Sequence, residues 1–220
     1  MRKETDLYKK NIFTAINYFY CFFMGNLYFA LLNIPLMILL FMYSQPNNPQ
    51  LSLLEIFICC LPIGPAFTAL LGAMGKLVRE KDINITKDYF KMYKTNFKQS
   101  FLLWSLLLAV LTILYVDIKT VKNELFYLFL LLFALVLIIA FYMFPIISRF
   151  YLKTNEVIIM SVIYAFTQIK TTILIITTLL ACYAIFNTAP GISILFIMSL
   201  LFYGIMYCEN NLLKKFESGT

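Results

Sequence analysis

The sequence predicts an all-α polytopic membrane protein with six transmembrane helices, and three observations lead to this prediction. Apolar residues make up 62% of the 220 residues and charged residues only 13%, about half the charged fraction of an average soluble protein. Several apolar runs approach or exceed the roughly 20 residues that cross a bilayer as a helix. Basic residues cluster in alternate segments between these runs. A soluble domain of this length could not bury so many apolar runs.

The spans follow from the apolar runs, taken in chain order after a polar amino-terminal segment over 1–17. The first run has no charged residue and ends in a breaker-rich turn over 44–50, and the short polar stretch 117–124 separates the third run from the fourth. A turn over 187–191 precedes the last run, and a polar tail covers 209–220. The predicted spans are about 18–43, 51–73, 100–116, 125–147, 171–186 and 191–208, which together form one membrane domain over 18–208.

Lysine and arginine residues predict the orientation, because basic residues resist translocation across the membrane. All but two of the 18 lie in the amino-terminal segment, in 74–99, in 148–170 or in the tail; the exceptions are Lys119 and Lys122. This bias places both termini in the cytoplasm. It also accounts for the net charge of +7 without nucleic acid as a partner.

Two cytoplasmic amphipathic helices are predicted, one before the third span and one before the fifth. The first covers 86–99, with Thr86 and Asp88 at its start, and presents the aromatic stripe Phe90, Tyr93 and Phe97 beside a lysine face that includes Lys94 and Lys98. It can lie on anionic lipid or dock a cytoplasmic partner, and both interpretations stay open. The second begins at the capping signature 154–156, and whether it continues into the fifth span is left open.

The second span contains the most distinctive local pattern, Pro62, Gly64, Pro65 and Thr68 within a stretch rich in small residues. One interpretation is structural, because prolines kink a helix and small residues let a neighbouring helix approach closely. The other is functional, because a kink at membrane depth frees backbone carbonyls, as the broken helices of transporters do.

The first span holds Asn26 and Asn33, seven residues apart and therefore on one helix face, together with Pro35. Buried amides in a membrane usually hydrogen-bond to a neighbouring helix. A polar solute path that also includes Thr68 is the alternative. Arg149, at the end of the fourth span, is expected to anchor the orientation at the membrane surface or to pair with an acidic residue such as Glu156.

Catalytic and metal-binding patterns are absent from the sequence. The chain has no histidine, no phosphate-binding glycine loop and no nucleophile motif, and none of its five cysteines belongs to a C-x-x-C pair. We therefore expect no catalytic residues, no metal, no cofactor and no enzymatic activity. The cysteines are interpreted as small apolar residues of the spans.

A family resemblance rests on motifs that keep their order along most of the chain. They are Asn26-Leu27-Tyr28 with Pro35, Ile63-Gly64-Pro65-Ala66 with Thr68-Ala69-Leu70, the segment 76–80, Asp88-Tyr89-Phe90 with Asn96-Phe97-Lys98-Gln99, and Pro145 with Arg149-Phe150. In these motifs the chain resembles the YesL family, bacterial membrane proteins of unknown function. Members are commonly encoded beside carbohydrate ABC transporters and glycoside hydrolases.

The resemblance implies a bacterial cell-membrane protein that is an accessory or regulatory component of carbohydrate uptake. Its partners would be the lipid bilayer and an ABC transporter permease or another protein, contacted through 74–99 and 148–170. A small stand-alone transporter or substrate-binding membrane subunit is the alternative, which would use the kinked second span and the asparagine face. A purely structural scaffold is a third possibility.

Overall fold

The structure is a computed structural model that describes residues 2–44, 52–121 and 124–219, and every regular element in these ranges is a helix. Residues 45–50 of the turn predicted over 44–50, and the loop residue Lys122, lie outside the described residues. The helices are α1 (Arg2–Leu32), α2 (Ile34–Tyr43), α3 (Leu53–Cys60), α4 (Ile63–Glu80), α5 (Ile85–Thr120), α6 (Leu125–Arg149), α7 (Thr154–Thr167), α8 (Ile169–Thr188), α9 (Pro190–Ser193) and α10 (Ile197–Gly219).

Five helical segments of the described chain are long and apolar enough to cross a membrane, by length and composition. They are Ile12–Leu32, Leu53–Glu80, Ile85–Thr120, Leu125–Arg149 and Ile169–Thr188. The predicted helical class and the membrane character are therefore confirmed. The sixth predicted span, 191–208, stays a prediction, because α10 joins an apolar first half to a polar second half.

The predicted first span, 18–43, is divided between two helices. The backbone N–H of Asn33 donates to Ala30 O at 3.0 Å, one residue closer than in a regular α-helix, and Pro35 lies in the first turn of α2. Because proline lacks an N–H and fixes its φ angle, the start of a helix is the position that accommodates it best. The chain therefore restarts as a ten-residue apolar helix after the break.

The predicted cytoplasmic helix 86–99 and the third span are one continuous helix, α5. Its 36 residues make it about 54 Å long, whereas the apolar part of a bilayer is about 30 Å thick. The cap is Asn84, whose Oδ1 accepts from Lys87 N at 3.1 Å, so Thr86 does not cap the helix as predicted. The Thr86 hydroxyl instead lies 2.8 Å from that of Tyr28.

The second predicted amphipathic helix does not continue into the fifth predicted span, because the helix breaks at Gln168, which has φ −105° and ψ 51°. Helix α7 ends there and α8 begins. At the start of α7 the Glu156 carboxylate accepts from Lys153 N at 3.1 Å, which satisfies one of the free N–H groups of the first turn.

Helix α4 occupies the centre of the bundle and packs on α1, α5, α6 and α10. Its buried face contains Gly64, Ala66, Ala69, Gly72 and Ala73. Small residues let the neighbouring helix backbones approach closely, which is how helices associate where lipid removes the hydrophobic driving force. Larger apolar side chains from α5, α6 and α10 complete the core around α4.

Candidate functional site

Asn26 joins α1 to the break between α9 and α10. Its Nδ2 donates to Ile194 O at 2.7 Å, and its Oδ1 accepts from Met198 N at 3.2 Å. Both backbone groups belong to the interrupted helix, where regular helical partners are missing. One buried amide therefore satisfies a donor and an acceptor at the helix break.

The kink predicted at Pro62 and Pro65 is the break between α3 and α4. The indole N–H of Trp104, on α5, donates to Cys60 O at 2.7 Å, immediately before the break. A Cβ on Gly64 would lie 2.3 Å from Trp104 Cβ, so the glycine is what allows α5 to come this close. The Cys60 carbonyl at this break is therefore bonded to a neighbouring helix.

The break between α7 and α8 receives a similar contact. The hydroxyl of Tyr142, on α6, donates to Gln168 O at 3.1 Å and lies 2.8 Å from the Thr172 hydroxyl. No sequence signal marked Gln168 as a break, because no proline or glycine lies within three residues of it. Tyrosine at this position gives a polar tip to an otherwise apolar stretch of α6.

The three residues proposed to line a polar path are not joined by hydrogen bonds in the structure. Asn33 Nδ2 donates to Phe29 O at 2.8 Å, inside its own helix, while its Oδ1 is buried without a partner. The Thr68 hydroxyl donates to Gly64 O at 2.9 Å, also within its own helix. Only Asn26 reaches another helix.

The amino-terminal half of α5 has an inner face and an outer face. The inner face carries Asp88, Tyr89, Asn96 and Ser100, all buried. Asp88 accepts from Lys76 Nζ at 2.8 Å, and the Ser100 hydroxyl donates to Asn96 O at 2.7 Å. Three polar side chains therefore lie on the buried side of α5 together with Tyr89, while the lysines of this stretch are exposed.

Five of the six predicted docking residues lie on the outer side of the same helix, whereas the sixth, Arg149, lies at the end of α6. Phe90 and Phe97 are exposed, at 38% and 39%, and Phe97 stacks on Phe101 with ring centroids 5.9 Å apart. Tyr93 packs edge-on against Phe97 at 5.4 Å. We call the four side chains Phe90, Tyr93, Phe97 and Phe101 the aromatic face. Lys94 and Lys98, both exposed, lie on the same stretch of helix.

Arg149 is nearly buried, with 4% of its side chain exposed, and its partner differs from the one predicted. Its Nε and Nη2 donate to the two carboxylate oxygens of Glu217 at 2.8 and 2.9 Å, and its Nη1 donates to Asn210 Oδ1 at 3.3 Å. Glu156 is occupied as a helix cap instead. This fork geometry holds the end of α10 against the end of α6. The hydrogen bonds from Arg149 hold the pKa of Glu217 below its usual value.

Glu209, which the sequence analysis did not single out, is the buried carboxyl of α10. The residue is 1% exposed, and its Oε1 has no hydrogen-bond partner. Burial raises its pKa well above the usual 4.5. Glu209 lies directly after the last apolar run, in the predicted polar tail. One feature of the sequence does indicate that Glu209 is buried. Leu212 and Leu213, three and four residues further on, continue an apolar helix face past Glu209.

An apolar groove of about 660 Å³ lies between α2, α3 and the carboxy-terminal end of α5. Leu36, Leu39 and Ile56 are among its walls, and Lys119 lies at its edge. The Lys119 amine is 4.7 Å from the centre of the Tyr115 ring. Within the described ranges, no group of three acidic or cysteine side chains is placed to hold a metal ion.

Comparison with known proteins finds similarity to proteins whose descriptions state no activity. The profile of the family described as "Protein of unknown function, DUF624" matches residues 22–118, from the middle of α1 through most of α5. The chain is also similar to the "Uncharacterized protein YteU" of Bacillus subtilis (strain 168). The two are 27% identical over 178 residues, which cover 76% of this chain and 80% of that protein. No solved structure matches. The YesL name stays a prediction.

Proposed function

We propose that this integral membrane protein is an accessory or regulatory component of carbohydrate uptake by an ABC-type transporter. It would act in the bacterial cell membrane by docking a permease or another protein at the cytoplasmic side. The resemblance to the YesL family supplies the carbohydrate context, and the similarity to a Bacillus subtilis protein supports a bacterial membrane.

The orientation belongs to this proposal. Both termini would lie in the cytoplasm, because all but two of the 18 basic residues fall on that side of the predicted topology. Position 97, near the amino-terminal end of α5, would then lie at the cytoplasmic side, and position 119, near the other end, at the exterior. Cross-linking from these two positions tests the assignment.

The aromatic face carries the docking proposal. Soluble and membrane proteins alike enrich aromatic rings at interfaces, because the rings supply large contact areas at low entropic cost. Here Phe90, Phe97 and Phe101 are exposed and Tyr93 is half-buried, on a helix that is longer than the bilayer is thick. The exposed Lys94 and Lys98 flank these rings. Since the helix also packs through Tyr89 and Asn96 on its opposite side, the aromatic face is presented by a fixed scaffold.

The bonding of the intramembrane polar groups also supports an accessory role. Asn26, Trp104 and Tyr142 each donate to a backbone carbonyl at a helix break. A group that is bonded in this way stabilises the bundle and is not free to coordinate a passing solute. The features left available for recognition are then those of the surface.

Co-purification with the permease subunits of a carbohydrate ABC transporter tests the function. Lys94→Glu combined with Phe97→Ser should abolish recovery of the permease, because it removes a ring and reverses a charge on the aromatic face. The matched control is Val116→Ser with Lys119→Glu, which changes an exposed apolar residue and an exposed lysine at the same spacing on the same helix. Undiminished recovery with the first pair, or equal loss with both, would contradict docking through this face.

A stand-alone transporter remains the second candidate, and the broken helices favour it. Interruptions at α3/α4, α7/α8 and α9/α10 resemble the discontinuous helices that bind solutes in transporters. Uptake of simple sugars or oligosaccharides by the purified protein in proteoliposomes would support this candidate over the accessory role.

A further inference from the structure

Glu209 is a carboxyl group inside the packed part of α10. It is 1% exposed, and neighbouring residues Phe202, Ile205, Met206 and Leu213 of the same helix belong to the apolar core. No donor among the described residues is within hydrogen-bonding distance of Oε1. A carboxylate in such a place would lose its hydration without gaining a partner, which is among the most expensive arrangements in a protein.

Among the side chains that the structure describes, the charged and titratable groups around α10 do not offer a counter-ion. Helices α1, α4, α6 and α8 pack against it. From α6, the Tyr142 hydroxyl is within electrostatic reach of Glu209. The hydrogen bonds and positive charge of Arg149 on α6, and the positive charge of Arg79 on α4, instead lower the pKa of Glu217. Helix α8 carries the buried Cys182 and the exposed Lys170, and α1 carries Tyr18, whose ring packs on Tyr203.

The chemistry of this site favours a proton over a metal cation as the ligand. Hard cations require several oxygen ligands, whereas only one acidic side chain lies here and no metal-binding group is formed by the described residues. A proton needs only the carboxylate. Burial raises the pKa of Glu209 well above its usual value, which agrees with this choice.

We propose that Glu209 is a proton-binding site, occupied by a proton at neutral pH while α10 is packed and released when this part of α10 leaves the bundle. The neutral acid is compatible with the apolar surroundings and can donate its own hydrogen bond. Glu217 lies eight residues further along the same helix, about 12 Å away along the axis, where it is held by Arg149. Proton loss at Glu209 would therefore loosen the segment that the arginine holds.

Thermal unfolding of the purified protein as a function of pH tests the site. A carboxyl whose pKa is raised by folding contributes stability that is fully present below its unfolded value of 4.5 and is lost as the pH rises towards the folded value. Glu209→Gln keeps the shape of the neutral acid and cannot ionise. The variant should be as stable as the wild type in acid. Above pH 4.5 the ratio of folded to unfolded protein should be larger for the variant, by a factor that grows about tenfold per pH unit.

Glu217→Gln is the matched control on the same helix, with the opposite expected sign. Because the pKa of Glu217 is lowered by Arg149, this variant should be less stable than the wild type above pH 4.5. The difference in stability should disappear in acid. A Glu209→Gln difference that does not change with pH, or that has the sign expected for Glu217→Gln, would overturn the proposal.

Infrared spectroscopy of wild-type protein keeps the proposal testable if Glu209→Gln does not fold. With carbon-13-labelled glutamate, the wild type should show the carbonyl band of a protonated carboxylic acid at neutral pH. A spectrum that contains only ionised glutamate at neutral pH would contradict proton binding at this site.

Discussion

Gly64→Ala is expected to lower both the melting temperature and the membrane abundance of the protein. The new Cβ would lie 2.3 Å from Trp104 Cβ and 2.5 Å from Cγ, and these atoms are fixed close to the α5 backbone. The two helices must move apart, because rotation of the indole cannot relieve a contact with Cβ. Overpacking of this kind costs about 1–3 kcal/mol, and it would also disturb the bond from Trp104 Nε1 to Cys60 O.

Two other glycines provide the comparison for this variant. At Gly75 the nearest atom to a new Cβ is the terminal Cε of Met206, which can turn away. Gly75→Ala should therefore lower the melting temperature less than Gly64→Ala does. At Gly191 a new Cβ meets nothing within 4 Å, so Gly191→Ala should leave stability unchanged. Equal melting temperatures for the Gly64 and Gly191 variants would show that α4 and α5 are not in close contact at this point.

Asn26→Leu should destabilise the carboxy-terminal part of the bundle. The substitution removes the donor to Ile194 O and the acceptor for Met198 N together, and it leaves two backbone groups unpaired at a helix break. An unsatisfied buried group costs about 1–3 kcal/mol. The effect should be visible as a lower melting temperature and as faster proteolysis near the break between α9 and α10.

The control for Asn26→Leu is Thr68→Val, which removes a buried hydroxyl of similar depth. That hydroxyl donates to a carbonyl of its own helix. Its loss breaks no contact between helices and should therefore lower the melting temperature only slightly. A similar loss of stability for both variants would argue against a special role for Asn26 at the break.

The sequence predicted the helical class and the presence of helices long and apolar enough to cross a membrane, because long apolar runs determine both. The break at Pro62 was also predictable, since proline removes a backbone donor. The breaks at Gln168 and between α9 and α10 were not fully predictable. They depend on Tyr142 and on Asn26, the latter 168 residues from its partner Ile194. Local patterns do not report such distant contacts.

The inner face of α5 was missed for a physical reason. In a soluble helix the apolar stripe faces the core, so Phe90, Tyr93 and Phe97 drew attention. Asp88, Asn96 and Ser100 are buried instead, because Lys76 on α4 gives Asp88 an ionic partner and Ser100 bonds Asn96 O within α5. The partner of Arg149 was missed because Glu217 lies in the tail, 68 residues away, whereas Glu156 is close in sequence.

Photo-cross-linking in intact bacterial membranes tests the central claim most directly, which is that the aromatic face docks a transport protein at the cytoplasmic side. A photo-reactive amino acid at position 97 should cross-link to a permease or ATP-binding subunit of a carbohydrate ABC transporter, identified by mass spectrometry. The same amino acid at position 119, exposed at the other end of α5, should not. Cross-links from position 97 to lipid alone, or to the transporter equally from both positions, would contradict the account.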